Sequence, residues 1–127
     1  MSEPSNPAVI LVVDDDPAVR QVTARVLERE GYRVLQAGEG SEALSIARDR
    51  DVRLDLLLTD VVMPGMNGRE LAEALVRLRP ETRQLYMSVY TEDEVLRRGI
   101  AVAEVGFLFK PFSLEGLAAA VRQALAT

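Results

Sequence analysis

The chain has 127 residues, a net charge of −5 and an apolar content of 48%. That suits one domain with a buried core of its own, and the acidic balance argues against nucleic-acid binding by this chain alone, because phosphate backbones repel it. There is no cysteine and no histidine, which excludes disulfides, thiolate metal sites, a histidine-based triad and a phosphohistidine on this chain, and with them a typical zinc site.

In chain order, Met1 to Pro7 is polar and proline-rich and reads as a flexible lead-in to a single domain over 8–127. It lacks the apolar stretch of a signal peptide, and no later run approaches the ~20 apolar residues that span a bilayer. A soluble cytoplasmic protein is the simplest reading. Ala8 to Val13 is a continuous, β-branched apolar run, the pattern of a strand covered on both faces. Asp14, Asp15 and Asp16 follow, then Pro17, which marks a helix start capped by Asp16. Val19, Val22 and Val26 recur at helical spacing, and Gly31 closes that helix.

Arg33 to Ala37 reads as a second strand, and Ser41 is placed to cap a second helix carrying Leu44 and Ala47. Leu54 to Thr59 is a third strand that ends at Asp60. After the loop Met63-Pro-Gly-Met-Asn-Gly68, a third helix carries Leu71, Leu75 and Leu78 and stops before Pro80. Leu85 to Val89 is a fourth strand. Glu92 to Arg98 is a short helix without a strong cap, ending at Gly99. Phe107 to Phe109 is a fifth strand. A last helix from Ser113 shows Leu114, Leu117, Ala118, Val121 and Leu125 on one stripe, read as core. Five strand–helix units predict an α/β fold with a parallel sheet, right-handed crossovers and helices on both faces. Its ligand site should lie beyond the carboxyl ends of the strands.

The predicted strands deliver a specific set of groups to that edge. The first gives Asp14, Asp15 and Asp16, the third Asp60, the fourth Ser88 and the fifth Lys110. Clustered carboxylates repel one another, and a hard dication such as Mg²⁺ (or Mn²⁺) resolves the repulsion with oxygen ligands. A carboxylate is a competent nucleophile toward phosphorus, Lys110 can pair with a phosphoryl oxygen, and Ser88 can donate to another. Phosphoryl transfer needs chiefly positioning and charge stabilisation, and this set offers both.

Four segments, Ile-Leu-Val-Val-Asp14-Asp15-Asp16-Pro17, Leu58-Thr-Asp60-Val-Val-Met-Pro64-Gly-Met-Asn-Gly68, Met87-Ser88 and Phe109-Lys110-Pro111-Phe112, resemble the receiver domains of two-component response regulators, over Val9 to Leu125. The resemblance implies a flavodoxin-like (CheY-like) doubly wound sheet of five parallel strands in the order 2-1-3-4-5. It implies Asp60 as phosphoacceptor. Asp15, Asp60 and the Val62 carbonyl would bind the metal directly, with Asp14 acting largely through water. Lys110 would contact the phosphoryl group from a cis bond to Pro111. Ser88 and Phe107 would be the switch pair, although an aromatic in a fifth strand is core by default. The donor it implies is a phosphohistidine on a histidine kinase or a histidine phosphotransfer protein, and the output a population shift. The stretches around Ser88 and Phe107 look most like receivers of hybrid sensor histidine kinases, which puts a kinase core in the same polypeptide among the expectations. In that subgroup glycine or alanine usually follows the serine; here it is Val89, whose β-branched side chain narrows the mouth of the site. With Val62 and Tyr90 it should slow the water that hydrolyses the phosphoryl group.

Other readings of the same residues are a degenerate receiver used only for docking, and an aspartate-nucleophile, Mg²⁺-dependent phosphatase of the haloacid dehalogenase type. Asp14-x-Asp16 matches the start of the phosphatase motif, but Ala18 stands where threonine or valine is wanted and no acidic pair follows Lys110. A flavin-binding flavodoxin-like protein fits less well, because the first loop holds aspartates where a phosphate-binding loop needs Gly, Ser or Thr. Arg97 and Arg98 read as a solvated face that can meet a partner.

Overall fold

A computed structural model describes residues 7–100 and 106–126. The lead-in expected over Met1–Pro7 lies outside the described residues, Pro7 excepted. Five parallel strands, β1 (Val9–Val13), β2 (Arg33–Ala37), β3 (Leu56–Asp60), β4 (Arg83–Ser88) and β5 (Gly106–Phe109), form one sheet in the order β2-β1-β3-β4-β5. They alternate with α1 (Pro17–Arg29), α2 (Gly40–Arg48), α3 (Gly68–Leu78), α4 (Glu92–Arg97) and α5 (Leu114–Ala126). The expected fold and strand order are therefore both present.

β1 and β3 are central and wholly buried, which their unbroken apolar runs require. Successive side chains leave opposite faces of the sheet. Leu11, Val13 and Leu57 join Ala43, Ala47, Leu71, Leu75 and Val95 on one side. Ile10, Val12, Leu56 and Leu58 join Leu27, Leu117 and Val121 on the other. Each such Val, Leu or Ile side chain, fully buried, stabilises the fold by roughly 1.5–3 kcal/mol.

Several boundaries and caps differ from the sequence reading. β3 begins at Leu56 rather than Leu54, because the Asp55 carboxylate accepts from the Val9 N–H at 2.8 Å, where a ladder carbonyl would otherwise stand. β4 runs from Arg83 and ends at Ser88, not Val89: the Tyr90 N–H turns back onto Ser88 Oγ at 3.0 Å and lifts Val89 out of the sheet. Ser41 does not cap α2. Glu39 holds the cap position without a side-chain bond, and Ser41 Oγ donates to the Glu39 carboxylate instead. α4 does carry a strong cap, since Thr91 accepts from the Glu94 N–H while the Glu94 carboxylate accepts from the Thr91 N–H. Asn67 and Glu70 build the same box at α3. Asp16 caps α1 as expected, accepting from the Ala18 and Val19 N–H groups.

Two apolar stripes are not wholly core. Leu114 is 61% exposed and Val22 is 59% exposed. α1 buries Thr23, Ala24 and Leu27 in their place, with Val26 half-buried.

Candidate phosphoacceptor site

The chain order reverses direction across β1 and β3, so the connections leaving these two strands run to opposite sides and open a crevice at their carboxyl ends. Asp14, Asp15 and Asp60 meet there, with one carboxylate oxygen of each lying within 4.8 Å of the others. Asp14 and Asp60 are buried and Asp15 is exposed. Lys110 follows β5 and reaches across from the far edge, its Nζ 2.8 Å from Asp14 Oδ2 and 3.4 Å from Asp60 Oδ2. The Lys110–Pro111 peptide is cis, as the resemblance implies. Ser88 is fully buried at the end of β4, its Oγ accepting the Tyr90 N–H.

The main chain around Asp60 is tightly fixed. The Val61 N–H donates to Met87 O at 3.0 Å, and the Gly68 N–H donates to Val61 O at 2.7 Å. A Cβ on Gly68 would stand 2.2 Å from the Asp60 carbonyl oxygen, so only glycine lets α3 start this close to the acceptor.

Burial pushes the Asp60 carboxyl up from 3.8 to about 6; Lys110 pulls it back, and the charges of Asp14 and Asp15 raise it again. For Lys110, burial acts downward, but the hydrogen bond it donates to Asp14 and the charges of Asp60 and Asp14 outweigh it, and its pKa is raised. The ammonium therefore stays charged at neutral pH. Three carboxylates face one ammonium. The donor set is all oxygen and carries excess negative charge, which fits a hard divalent cation.

Beside Lys110 the surface is apolar. A groove of about 430 Å³ is lined by Val19, Val22, Val89, Lys110, Pro111 and Phe112, among others. Val89 is 56% exposed and borders the groove next to Lys110. Phe107 is half-buried and packs against the α3-side cluster that holds Tyr86 and Val95, as Tyr90 does, an inward position. Val62 is half-buried in the loop after β3. Sequence reasoning missed two features. Arg20 Nη1 donates to the Asp14 carbonyl at 2.8 Å, which helical spacing alone does not foretell. The Arg98 guanidinium lies 4.2 Å from the centroid of the Tyr90 ring, so Arg98 is not only solvated.

Carboxylates gathered at the switch point of a doubly wound parallel sheet, with a lysine from the last strand, define a phosphoacceptor module. The family model for the response regulator receiver domain matches residues 10–122. The chain belongs to that family, the phosphoacceptor domains of two-component signalling. It is 40% identical over 121 residues to the sensor kinase CckA of Brucella abortus (strain 2308), covering 95% of this chain and 13% of that kinase's length. Among solved structures, the receiver domain of the hybrid histidine kinase CckA is 37% identical, with a TM-score of 0.78 over 93% of this chain and 99% of that one. TrrA of Thermotoga maritima, solved in complex with Mg²⁺–BeF, is 27% identical, with a TM-score of 0.77 over 92% of this chain and 98% of that one. Among the described residues no helix is long and apolar enough to cross a membrane.

Proposed function

We propose that Asp60 accepts a phosphoryl group from a phosphohistidine donor and that the domain, residues 8–127, changes conformation in response. The observation that carries this is the Asp60 carboxylate at the end of β3, within reach of two further aspartates and of the Lys110 ammonium. With a pKa of about 6, Asp60 is mostly ionised at pH 7 and available as a nucleophile.

One carboxylate oxygen of Asp60 attacks phosphorus, the phosphorus–nitrogen bond to the donor's imidazole breaks, and the neutral imidazole leaves after taking up a proton from solvent. An acyl phosphate remains on Asp60. Lys110 pairs with a phosphoryl oxygen, as a point charge free of directional constraint. Ser88 donates its hydroxyl to another once it gives up the Tyr90 N–H, and that exchange ties the modified site to the start of α4. Phe107, on the same face as Tyr90, is the aromatic that repacks. Asp14, Asp15, Asp60 and the Val62 carbonyl would hold Mg²⁺ or Mn²⁺, which supplies charge neutralisation for the incoming phosphoryl group.

The donor would come from a histidine kinase or a histidine phosphotransfer protein, with the apolar groove beside Lys110 as its entry face. The likeness to CckA supports a kinase core in the same polypeptide, and the compartment would be the cytoplasm. Catalysis by the domain would be limited to its own phosphorylation and dephosphorylation. Incubation with acetyl phosphate and Mg²⁺, followed by intact mass, tests the reading. One phosphoryl group should appear on the wild-type chain and none on Asp60→Asn. Equal labelling of both would overturn it.

A further inference from the structure

We infer that Arg20 is a positioning residue for the acidic site: it clamps the Asp14–Asp15 peptide and so sets where both carboxylates point. This rests on the metal-binding reading of Asp14 and Asp15 above.

Asp14 lies one residue past the end of β1, where the ladder no longer supplies partners. Each of its polar groups is nevertheless held. Its N–H donates to Ala37 O at 3.2 Å, Oδ1 accepts from the Asp16 N–H at 3.0 Å, and Oδ2 takes Lys110 at 2.8 Å. Its carbonyl oxygen accepts from Arg20 Nη1 at 2.8 Å. A residue only 1% exposed cannot leave that carbonyl without a partner at no cost. Losing the Arg20 donor would let the Asp14–Asp15 peptide rotate toward water, and the Asp15 side chain would turn with it. Like-charged neighbours would drive the same motion, because Asp14, Asp15 and Asp60 gain from separating.

The guanidinium reaches Asp14 by passing over Gly38, where a Cβ would stand 3.3 Å from Nη1 and 3.9 Å from Cζ. Gly38 is itself tied to α2, its N–H donating to the Glu42 carboxylate at 2.7 Å. The end of β2 is thus open for the Arg20 side chain. Among the described residues no carboxylate forms an ion pair with Arg20, so its guanidinium serves the main chain at the acidic edge. Partners one step removed from a metal typically carry 10–100-fold in affinity.

The test uses the whole chain and Mn²⁺, with free Mn²⁺ followed by electron paramagnetic resonance. Arg20→Met should raise the Mn²⁺ Kd about tenfold, and Arg20→Lys, which keeps a cationic donor, should recover part of the loss. Gly38→Ala, which keeps Arg20 but crowds it, should weaken binding in the same direction and covers the case in which Arg20→Met fails to fold. In parallel, amide hydrogen exchange of the metal-free protein should be faster at Asp15 and Asp16 in Arg20→Met. A merely structural arginine would lower the melting temperature while leaving the Kd of the folded protein and this local exchange unchanged, and that result would overturn the inference. If the wild-type chain binds no Mn²⁺, the metal reading fails, and the exchange rates at Asp15 and Asp16 decide the role of Arg20 by themselves.

Discussion

The Lys110 ammonium is bonded more closely to Asp14 than to Asp60, at 2.8 Å against 3.4 Å. In this state the lysine is chiefly the counter-charge of Asp14, and it must shift to serve a phosphoryl group on Asp60. Lys110→Met should therefore separate binding from chemistry. Removing a cation beside three carboxylates strengthens their pull on a dication, since unit charges about 4 Å apart interact by a few kcal/mol at an effective dielectric near 20. At pH 8.5, well above the value of about 6 for Asp60, Mn²⁺ should bind several-fold more tightly to the variant, while labelling by acetyl phosphate slows by at least tenfold. Weaker Mn²⁺ binding would show that the lysine holds the carboxylates in place rather than competing with the metal.

Asp60 gives a pH dependence with a definite sign. Its folded-state pKa of about 6 lies above the ordinary 3.8, so the folded state holds the proton more tightly than the unfolded chain. The stabilisation this provides is complete below 3.8 and is lost as pH rises through about 6. Asp60→Asn removes the cost of the buried charge. In EDTA at pH 7.5 the variant should be more stable than wild type, by at most about 3 kcal/mol and by less after solvent screening. The gap should narrow at pH 4.5. Urea midpoints at the two pH values measure it, and a variant less stable than wild type at pH 7.5 would contradict the sign.

Gly68 ties the start of α3 to the acceptor. The Cβ of Gly68→Ala would meet the Asp60 carbonyl oxygen at 2.2 Å and the Val61 Cα at 2.9 Å, and both are backbone. The loop has to move, at a cost of roughly 1–3 kcal/mol or more. Labelling of Asp60 should fall well beyond what the loss of folded protein explains. Comparing the stoichiometry at saturating acetyl phosphate with the urea unfolding curve separates the two effects.

Arg79 provides a control far from the chemistry. It is 3% exposed, and its Nε and Nη2 donate to Ala47 O at 3.0 Å and Asp49 O at 2.6 Å, satisfying the end of α2. Arg50 returns a bond to Leu78 O at the end of α3. Arg79→Met should cost about 2–3 kcal/mol, because the buried Ala47 carbonyl and the part-buried Asp49 carbonyl lose a charged donor. Mn²⁺ affinity and labelling of the folded protein should stay at wild-type values.

The acceptor edge was legible because its residues stand where buried apolar runs end: Val13 gives way to Asp14, Thr59 to Asp60 and Met87 to Ser88. A doubly wound sheet brings such ends together whatever the details of the helices. The cap of α4 was readable in Thr91-x-x-Glu94, the spacing of a capping box, yet missed. Leu114 was placed in the core because periodicity finds an apolar stripe without saying whether anything covers it. The Arg20 clamp and the Arg98–Tyr90 contact depend on tertiary geometry that spacing along one chain does not carry.

Crystals soaked with Mg²⁺ and beryllofluoride measure the central claim most directly. The account predicts beryllium on a carboxylate oxygen of Asp60, a metal ion ligated from Asp15, Asp60 and the Val62 carbonyl, and Lys110 drawn from Asp14 to a fluoride. An adduct on another residue, or a metal bound away from Asp14, Asp15 and Asp60 with Asp60 bare, would contradict it.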